Sequence, residues 1–311
     1  MSAKRRIITG WRVWCRTGRV NFLPAGILPY LLGWAYSFPN PGNGHCRRPW
    51  FFAAGLAGTV LAHLSANLFN EYWDYRLGAD RAGNGHLPHS GGSGTLPAGL
   101  VRPRAVLRAA SGCLAAAGML GLGLTAAGAP PLILLLGGAG GFIAWAYTAP
   151  PFSLAYRGWG EISLAVAFGP LLVGGGYALQ TGDLAGRIWF VSLIPALLIS
   201  AVLIVNEIAD RENDRAAGKY NLAARMGRTA AARAGAALLG GAYLGTAVGW
   251  AAGVFPPASL AALATAPWAA GAGRRVWSIA RGGGNYRDAS AGTIKTYCLF
   301  LAVLAASLVV S

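Results

Sequence analysis

Residues 189–219 read W-F-V-S-L-I-P-A-L-L-I-S-A-V-L-I-V-N-E-I-A-D-R-E-N-D-R-A-A-G-K. The part from Trp189 to Val205 is apolar and, as a helix, crosses most of a bilayer. Four acids follow within eight positions: Glu207, Asp210, Glu212 and Asp214. Asn206, Asp210 and Asp214 are spaced i, i+4, i+8, so a helix places them in one stripe. Like charges at that spacing repel and destabilise an isolated helix. The whole chain holds only 10 acids in 311 residues, so crowding four of them here calls for a positive partner.

A second stretch repeats the plan. Asn67 to Asp80, N-L-F-N-E-Y-W-D-Y-R-L-G-A-D, also ends an apolar run. Asn67, Asn70, Glu71 and Asp74 fall at i, i+3, i+4, i+7, one face of a helix, and Asp80 lies beyond Gly78, where the helix is expected to have ended. Together the two stretches hold 7 of the 10 acids. Carboxylate and amide oxygens without clustered His or Cys suit a hard cation, Mg²⁺ or Mn²⁺. The candidate metal ligands are Asn70, Asp74, Asp80, Glu207, Asp210 and Asp214. Two solvated acidic loops are the alternative, but duplication at corresponding ends of two membrane-length segments disfavours it.

Composition sets the class. Hydrophobic residues make up 55%, charged residues 12%, and mean hydropathy is +0.46, far from a soluble domain. Apolar runs of membrane-spanning length are read at roughly 20–37, 50–71, 104–127, 130–147, 160–180, 187–208, 230–252, 256–273 and 292–310. The expected fold is all-α: a polytopic membrane protein, a bundle of nine transmembrane helices with cytoplasmic cap loops. Residues 1–19 are expected as a basic interfacial segment carrying Trp11 and Trp14, and 20–311 as a single transmembrane domain. Span 1 holds Pro24 and Pro29 and is not followed by a small-residue cleavage site, unlike a signal peptide.

Charge tests the count. With nine spans, 23 of the 26 Lys and Arg fall on one side, and Arg47, Arg48 and Arg187 on the other. The positive-inside rule then puts the N-terminus and both acidic stretches in the cytoplasm, in an inner (cytoplasmic) membrane. The net charge of +16 is explained by anionic lipid and a polyanionic substrate; no nucleic acid is needed.

Other stretches are read in chain order. Arg19 and Asn21 lie near the cytoplasmic mouth of span 1, as anchors at the interface or as substrate contacts. The loop 75–103 is long and Gly-rich, which lets backbone N–H groups approach an anion closely; His86 and His89 within it lack a third metal ligand and read as polar loop residues. A Gly-Ala-Pro-Pro turn makes spans 3 and 4 an antiparallel hairpin. Span 4 ends at Pro150 and Pro151, in a loop with Tyr147, Phe152, Tyr156 and Trp159 beside Arg157. The glycines of span 5, F-G-P-L-L-V-G-G-G-Y, read as helix packing. Lys219 and Arg225 can bind phosphate oxygens, although basic residues are expected on this side in any case. Cys15, Cys46, Cys113 and Cys298 lack metal-ligand spacing.

From about Arg19 to span 9, the chain resembles the UbiA superfamily of intramembrane prenyltransferases, which carries the acidic motifs N-D-x-x-D-x-x-x-D and D-x-x-x-D. The first looks like Asn70, Glu71 and Asp74, with Gly78 where the last Asp would stand and Asp80 two positions later. The second is Asn206, Glu207, Asp210 and Asp214. The Gly-Gly-Ser-Gly loop, Tyr-Thr-Ala-Pro-Pro, Tyr-Arg-Gly-x-Gly-Glu and Asp-Arg-x-Ala-Gly-Lys are most similar to the MenA branch, whose members prenylate 1,4-dihydroxy-2-naphthoate in menaquinone synthesis. Glu71 replaces the commoner Asp, and Ser153 stands where relatives often carry Lys.

The resemblance implies Mg²⁺-dependent transfer of a polyprenyl group from a prenyl diphosphate to a small aromatic acceptor. It implies catalytic roles for Asn70, Glu71, Asp74, Asn206, Asp210 and Asp214. Candidate substrate contacts are Asn67, Arg19, Asn21, Tyr147, Arg157, Lys219 and Arg225, with Tyr147 able to shield an allylic cation. Other acceptors within the superfamily are alternatives. So is a transporter, though a transporter more naturally places its ionisable groups near the midplane than at cytoplasmic helix ends.

Overall fold

The structure is a computed structural model describing residues 3–38, 49–80, 92–184 and 186–310, with side chains from Gly10 onward. His86, His89, Cys46, Arg47 and Arg48 lie outside the described residues. The described residues form helices without a strand. In chain order these are α1 (Ala3–Thr17), α2 (Leu23–Tyr36), α3 (Pro49–Leu77), α4 (Pro103–Ala126), α5 (Leu132–Ala146), α6 (Gly160–Val166), α7 (Leu172–Thr181), α8 (Gly186–Ala216), α9 (Leu222–Met226), α10 (Arg228–Ala251), α11 (Ala266–Ala280) and α12 (Tyr286–Val309). A π-helical turn containing Pro170 joins α6 to α7 in one rod. A 3-10 run, Pro257–Thr265, leads into α11.

Among the described residues, α3, α4, the α6–α7 rod, α8 and α12 are each long and apolar enough to cross a membrane. The remaining segments expected to span fold as α2, α5, α10 and the 3-10 run with α11. Of these, α2 and α5 have only 14 and 15 residues, and α10 and α11 are diluted by Gly, Ala and Arg. Length and composition therefore single out five spans, and the count of nine rests on the charge pattern.

The bundle is built around α8. Its membrane portion, I-P-A-L-L-I-S-A-V-L-I-V, is apolar on all sides, and a helix of that kind belongs in the interior. Of its most apolar window 72% is buried, against 11% for α4. Ile188, Val191, Ile194, Leu198 and Val202 pack with residues of α2, α7 and α12, among them Leu32, Val173, Phe300 and Leu304. On the outside, Met119, Leu122, Leu135 and Leu244 are exposed, as suits a surface facing lipid chains. This is a multi-pass membrane protein.

Glycine sets the α2–α7 crossing. A Cβ on Gly33 would overlap the carbonyl oxygen of Val173, and one on Gly176 that of Tyr30. The two backbones therefore touch directly, the packing that small residues permit in membrane helices. The short turn between α4 and α5 and the helix stop before Pro150 are also as expected.

Candidate active site

Both acidic stretches extend helices that begin in the membrane, and both helices end by the same device. At the end of α3, Gly78 is left-handed (φ +87°) and its N–H donates to the carbonyl of Asp74 at 3.0 Å. Asp80 N–H donates to the same carbonyl at 3.2 Å. At the end of α8, Gly218 is left-handed (φ +75°) and Lys219 N–H donates to the carbonyl of Asp214 at 2.8 Å. In each case a glycine four residues after the last helical acid closes the helix and turns the next polar residue back towards that acid. Gly78 thus occupies the place of the motif's expected last acid because the chain has to reverse there.

The two ends face each other across one cavity of about 760 Å³. Its mouth is lined by Arg19, Asn67, Asn70, Asp74 and Asp80 on one side, and by Asn206, Glu207, Asp210, Asn213, Asp214, Lys219 and Asn221 on the other. Tyr147 also lines it, and below the mouth the walls are mostly Gly, Ala, Leu, Ile and Phe. Lys219 joins the halves: Nζ lies 3.5 Å from Asp74 Oδ2 and 3.7 Å from Asp214 Oδ1. Burial disfavours the ammonium charge, but Asp74 and Asp214 outweigh it and hold the Lys219 pKa well above its ordinary value.

Two further side chains fix these carboxylates. Tyr156 OH donates to Asp74 Oδ1 at 2.7 Å, and Asn70 Nδ2 to Asp74 Oδ2 at 3.2 Å. Asn221 caps α9, accepting from Ala224 N–H at 2.9 Å, and donates Nδ2–H to Asp214 Oδ2 at 2.6 Å. Burial and the neighbouring Asp74 push the Tyr156 phenol up, so it remains a donor. Asn206 accepts from Ser290 Oγ on α12 at 2.6 Å. Glu207 accepts from Ala223 N–H at 3.4 Å, and Glu161 accepts from the neighbouring Leu222 N–H.

Glu71 plays a different part from its motif neighbours. It is fully buried and is not among the residues lining the cavity. Ser93 N–H donates to Oε2 at 2.8 Å, Ser93 Oγ donates to Oε1, and Arg19 lies 3.7 Å away. Ser93 and Thr95 continue to Thr17 of α1 through hydroxyl hydrogen bonds of 2.8 and 2.9 Å. Arg16 Nε donates to Ser93 O at 2.8 Å. Glu71 thus clamps the segment 92–95, where backbone N–H groups serve protein acids: Gly92 N–H donates to Asp80 Oδ1 at 3.0 Å.

Three expected contacts stand elsewhere. Asn21 is exposed in the 3-10 turn Val20–Phe22. Arg157 is exposed, and its carbonyl accepts from Arg225 Nη2 at 2.7 Å. Arg225 also donates Nε–H to Tyr220 O at 2.8 Å, so its guanidinium straps two loops together. None of the three lines the cavity. Glu212, the fourth acid of the second stretch, is exposed and pairs with Arg211 and Arg228. Tyr156, Asn213 and Asn221 are site residues that pattern reading passed over. An N-cap Asn before L-A-A-R was a legible signal for Asn221; the contact of Tyr156 with Asp74 crosses 82 positions and left none.

The donor set suits a hard cation. Among the described residues no three Asp, Glu, His or Cys side chains converge as a preformed cage, because Lys219 stands between the two halves. Yet Asp80 Oδ2 is buried without a hydrogen-bond partner among the described residues. Burial, then the charge of Asp74, raises the Asp80 pKa to about 7. Opposed carboxylates with an unsatisfied oxygen fit Mg²⁺, which favours few protein ligands completed by water and phosphate. Arg19 Nη2, also buried without a hydrogen-bond partner among the described residues, fits the anion.

Residues 25–309 match the model of the UbiA prenyltransferase family. The 1,4-dihydroxy-2-naphthoate octaprenyltransferase of Bacillus subtilis is 30% identical over 193 residues, covering 62% of this chain and 60% of that one. Its Mycobacterium tuberculosis namesake is 31% identical over 222 residues, covering 69% and 70%. Among solved structures, a UbiA homolog from Aeropyrum pernix K1 superposes with a TM-score of 0.68 at 17% identity, covering 90% of this chain and 96% of that one. A UbiA homolog from Archaeoglobus fulgidus bound to DMAPP and Mg²⁺ gives 0.62 at 16%, covering 94% and 98%. At such identities the likeness establishes the fold.

Proposed function

The chain belongs to the UbiA prenyltransferase family, and from this we propose that it transfers a polyprenyl chain from a prenyl diphosphate to 1,4-dihydroxy-2-naphthoate or a closely similar aromatic acceptor. The observation that carries the reading is the shape and polarity of the cavity: two acid-bearing helix ends joined through Lys219 at the mouth, with apolar walls beneath. A prenyl diphosphate has the same division into polyanionic head and hydrocarbon tail. The acceptor class comes from the names of the relatives.

Asn70, Asp74, Asp80, Glu207, Asp210 and Asp214 are the residues that would hold Mg²⁺, with Asn206 beside them. Bound there, the metal would neutralise charge on the diphosphate. Lys219 and Arg19 supply fixed positive charge to the same leaving group. Tyr156 and Asn221 keep the flanking carboxylates oriented. As the C–O bond breaks, the electron pair leaves with the diphosphate and an allylic cation remains. Tyr147 presents an aromatic face to that cation, and the apolar walls keep out the water that would quench it. The acceptor ring carbon forms the new C–C bond and loses its carboxylate as CO₂, restoring aromaticity.

In this reading the chain crosses a cytoplasmic membrane nine times, residues 20–311 form one catalytic unit, and the N-terminus and the cavity mouth face the cytoplasm. Segregation of the basic residues supports that orientation. The test is turnover of purified protein in lipid nanodiscs with geranylgeranyl diphosphate, Mg²⁺ and a panel of dihydroxynaphthoate, 4-hydroxybenzoate, homogentisate and glycerol phosphate. The expected product is a prenylated naphthalenediol without its carboxylate, abolished by EDTA. Product from glycerol phosphate alone, or full turnover in excess EDTA, sinks the proposal.

A further inference from the structure

The end of α11 and the start of α12 carry Arg274, Arg275, Arg281, Arg287 and Lys295 against one acid, Asp288. All six are exposed, and none takes part in an ion pair among the described residues. Arg281 rests on the Trp277 ring, 4.9 Å from its centroid, a pairing suited to a membrane–water interface. Two of the other cations lie deeper. Asp288, Gly292 and Lys295 run i, i+4, i+7 along α12, so they share one face. Gly292 leaves room there for the guanidinium of Arg275 from α11: a Cβ on it would meet Nη1 at 3.1 Å and Ala272 Cβ at 3.5 Å. Arg275 therefore lies over α12 one turn from Lys295.

The register of α12 sets their depth. Ser290 Oγ donates to Asn206 Oδ1 of α8 at 2.6 Å, and Asn206 lies about two turns inward of Asp214. Lys295 is a further five residues in along α12, about 7 Å, within the stretch 292–310 read as a span. An exposed ammonium at that depth faces hydrocarbon unless it reaches back towards the interface, and reaching back brings it beside Arg275. Two adjacent cations repel, and the one acid on this face leaves the patch positive. Neither residue lines the cavity, so a diphosphate held there does not neutralise them. At this height on the outer surface stands the phosphate layer of the leaflet on the side of the cavity mouth.

We propose that Arg275 and Lys295 bind the phosphate of an anionic phospholipid at the outer surface of α11 and α12. Arg275 meets the phosphate with paired guanidinium N–H groups and Lys295 with a point charge, while the acyl chains run down the lipid-facing sides of the two helices. Basic sites between membrane helices are suited to such headgroups. The bound lipid ties α11 to α12, the helix that holds Asn206 through Ser290 on another of its faces. This surface is separate from the cavity and does not depend on the reaction proposed above.

The test titrates purified protein in a neutral detergent with phosphatidylglycerol, with phosphatidylcholine of the same chains, and with inorganic phosphate. Bound lipid is counted by native mass spectrometry, and thermal melting without lipid checks folding. Wild type should bind phosphatidylglycerol about tenfold or more tighter than phosphatidylcholine. The double variant Arg275→Gln, Lys295→Gln should lose about tenfold to thirtyfold in that affinity, the scale of two cations at a membrane surface. The control, Arg104→Gln with Arg108→Gln, removes the same charge from exposed positions of α4 and should bind like wild type. If the double variant does not fold, each single variant should lose about threefold to fivefold. Equal losses in the control and the double variant show diffuse surface charge and overturn the inference. So does wild type that does not distinguish the two lipids, undiminished affinity in the folded variants, or inorganic phosphate displacing the lipid at equal concentration.

Discussion

Lys219 holds its charge between Asp74 and Asp214, 3.5 and 3.7 Å away, and a bound diphosphate would replace part of that pairing. Removing the ammonium leaves two buried carboxylates facing each other and takes a cation from the leaving group. Lys219→Met should therefore lower kcat for prenyl transfer by about a hundredfold, on the order of 3 kcal/mol, with Lys219→Arg retaining part of the rate. Unchanged turnover in a folded Lys219→Met protein rules out its role. Asp210→Asn keeps the shape and removes one charge from the cation site. It should cost a similar factor and be partly recovered at high Mg²⁺, whereas Asp183→Asn, in the turn between α7 and α8, should match wild type. Arg225 makes the opposite case. Because its guanidinium is engaged by the carbonyls of Arg157 and Tyr220, Arg225→Ala should cost less than about tenfold, the scale of one or two exposed hydrogen bonds. A hundredfold rise in KM for the diphosphate would restore Arg225 as a phosphate ligand.

At the scale of elements, α3 and α8 each have two functions along one axis. Their membrane portions pack or face lipid, and their final turns carry the acids out to the mouth. A left-handed glycine then closes each helix and folds the chain back on the acids. The close α2–α7 crossing holds the cavity wall in place from the other side. Gly176→Ala forces a methyl against the Tyr30 carbonyl and should destabilise the protein by about 1–3 kcal/mol, the usual range for overpacking. This should be seen as a lower melting temperature in detergent. Gly240→Ala, on α10 with open space around it, should leave melting unchanged or slightly raised. Equal melting of the two variants would show that the α2–α7 contact has room to relax.

For the whole molecule, orientation decides which compartment supplies the substrates. The proposed nine spans with a cytoplasmic N-terminus would put the end of α12 on the far side. A C-terminal fluorescent reporter that folds only in the cytoplasm should be dark, and a C-terminal phosphatase that folds only outside should be active. A bright fluorescent reporter means that one span is miscounted and that the charge argument fails with it.

Membrane character, helical class and the two acid-bearing stretches were legible in the sequence, because hydropathy, helical spacing and charge scarcity are local properties of a chain. The helix stop at Gly78 belongs to the same class, since capping depends on a few neighbouring residues. Which acids share the mouth was not legible in this way. Glu71 and Asp74 are three residues apart, yet one clamps the Ser93–Thr95 segment and the other meets Lys219. Glu212 and Asp214 divide likewise between surface and cavity. The same holds for Tyr156, which reaches Asp74 across 82 positions, and for Arg225, which straps loops together. Spacing along a helix fixes the direction in which a side chain points, but what it meets there depends on which other helix the bundle brings alongside, and only the tertiary packing around α8 decides that.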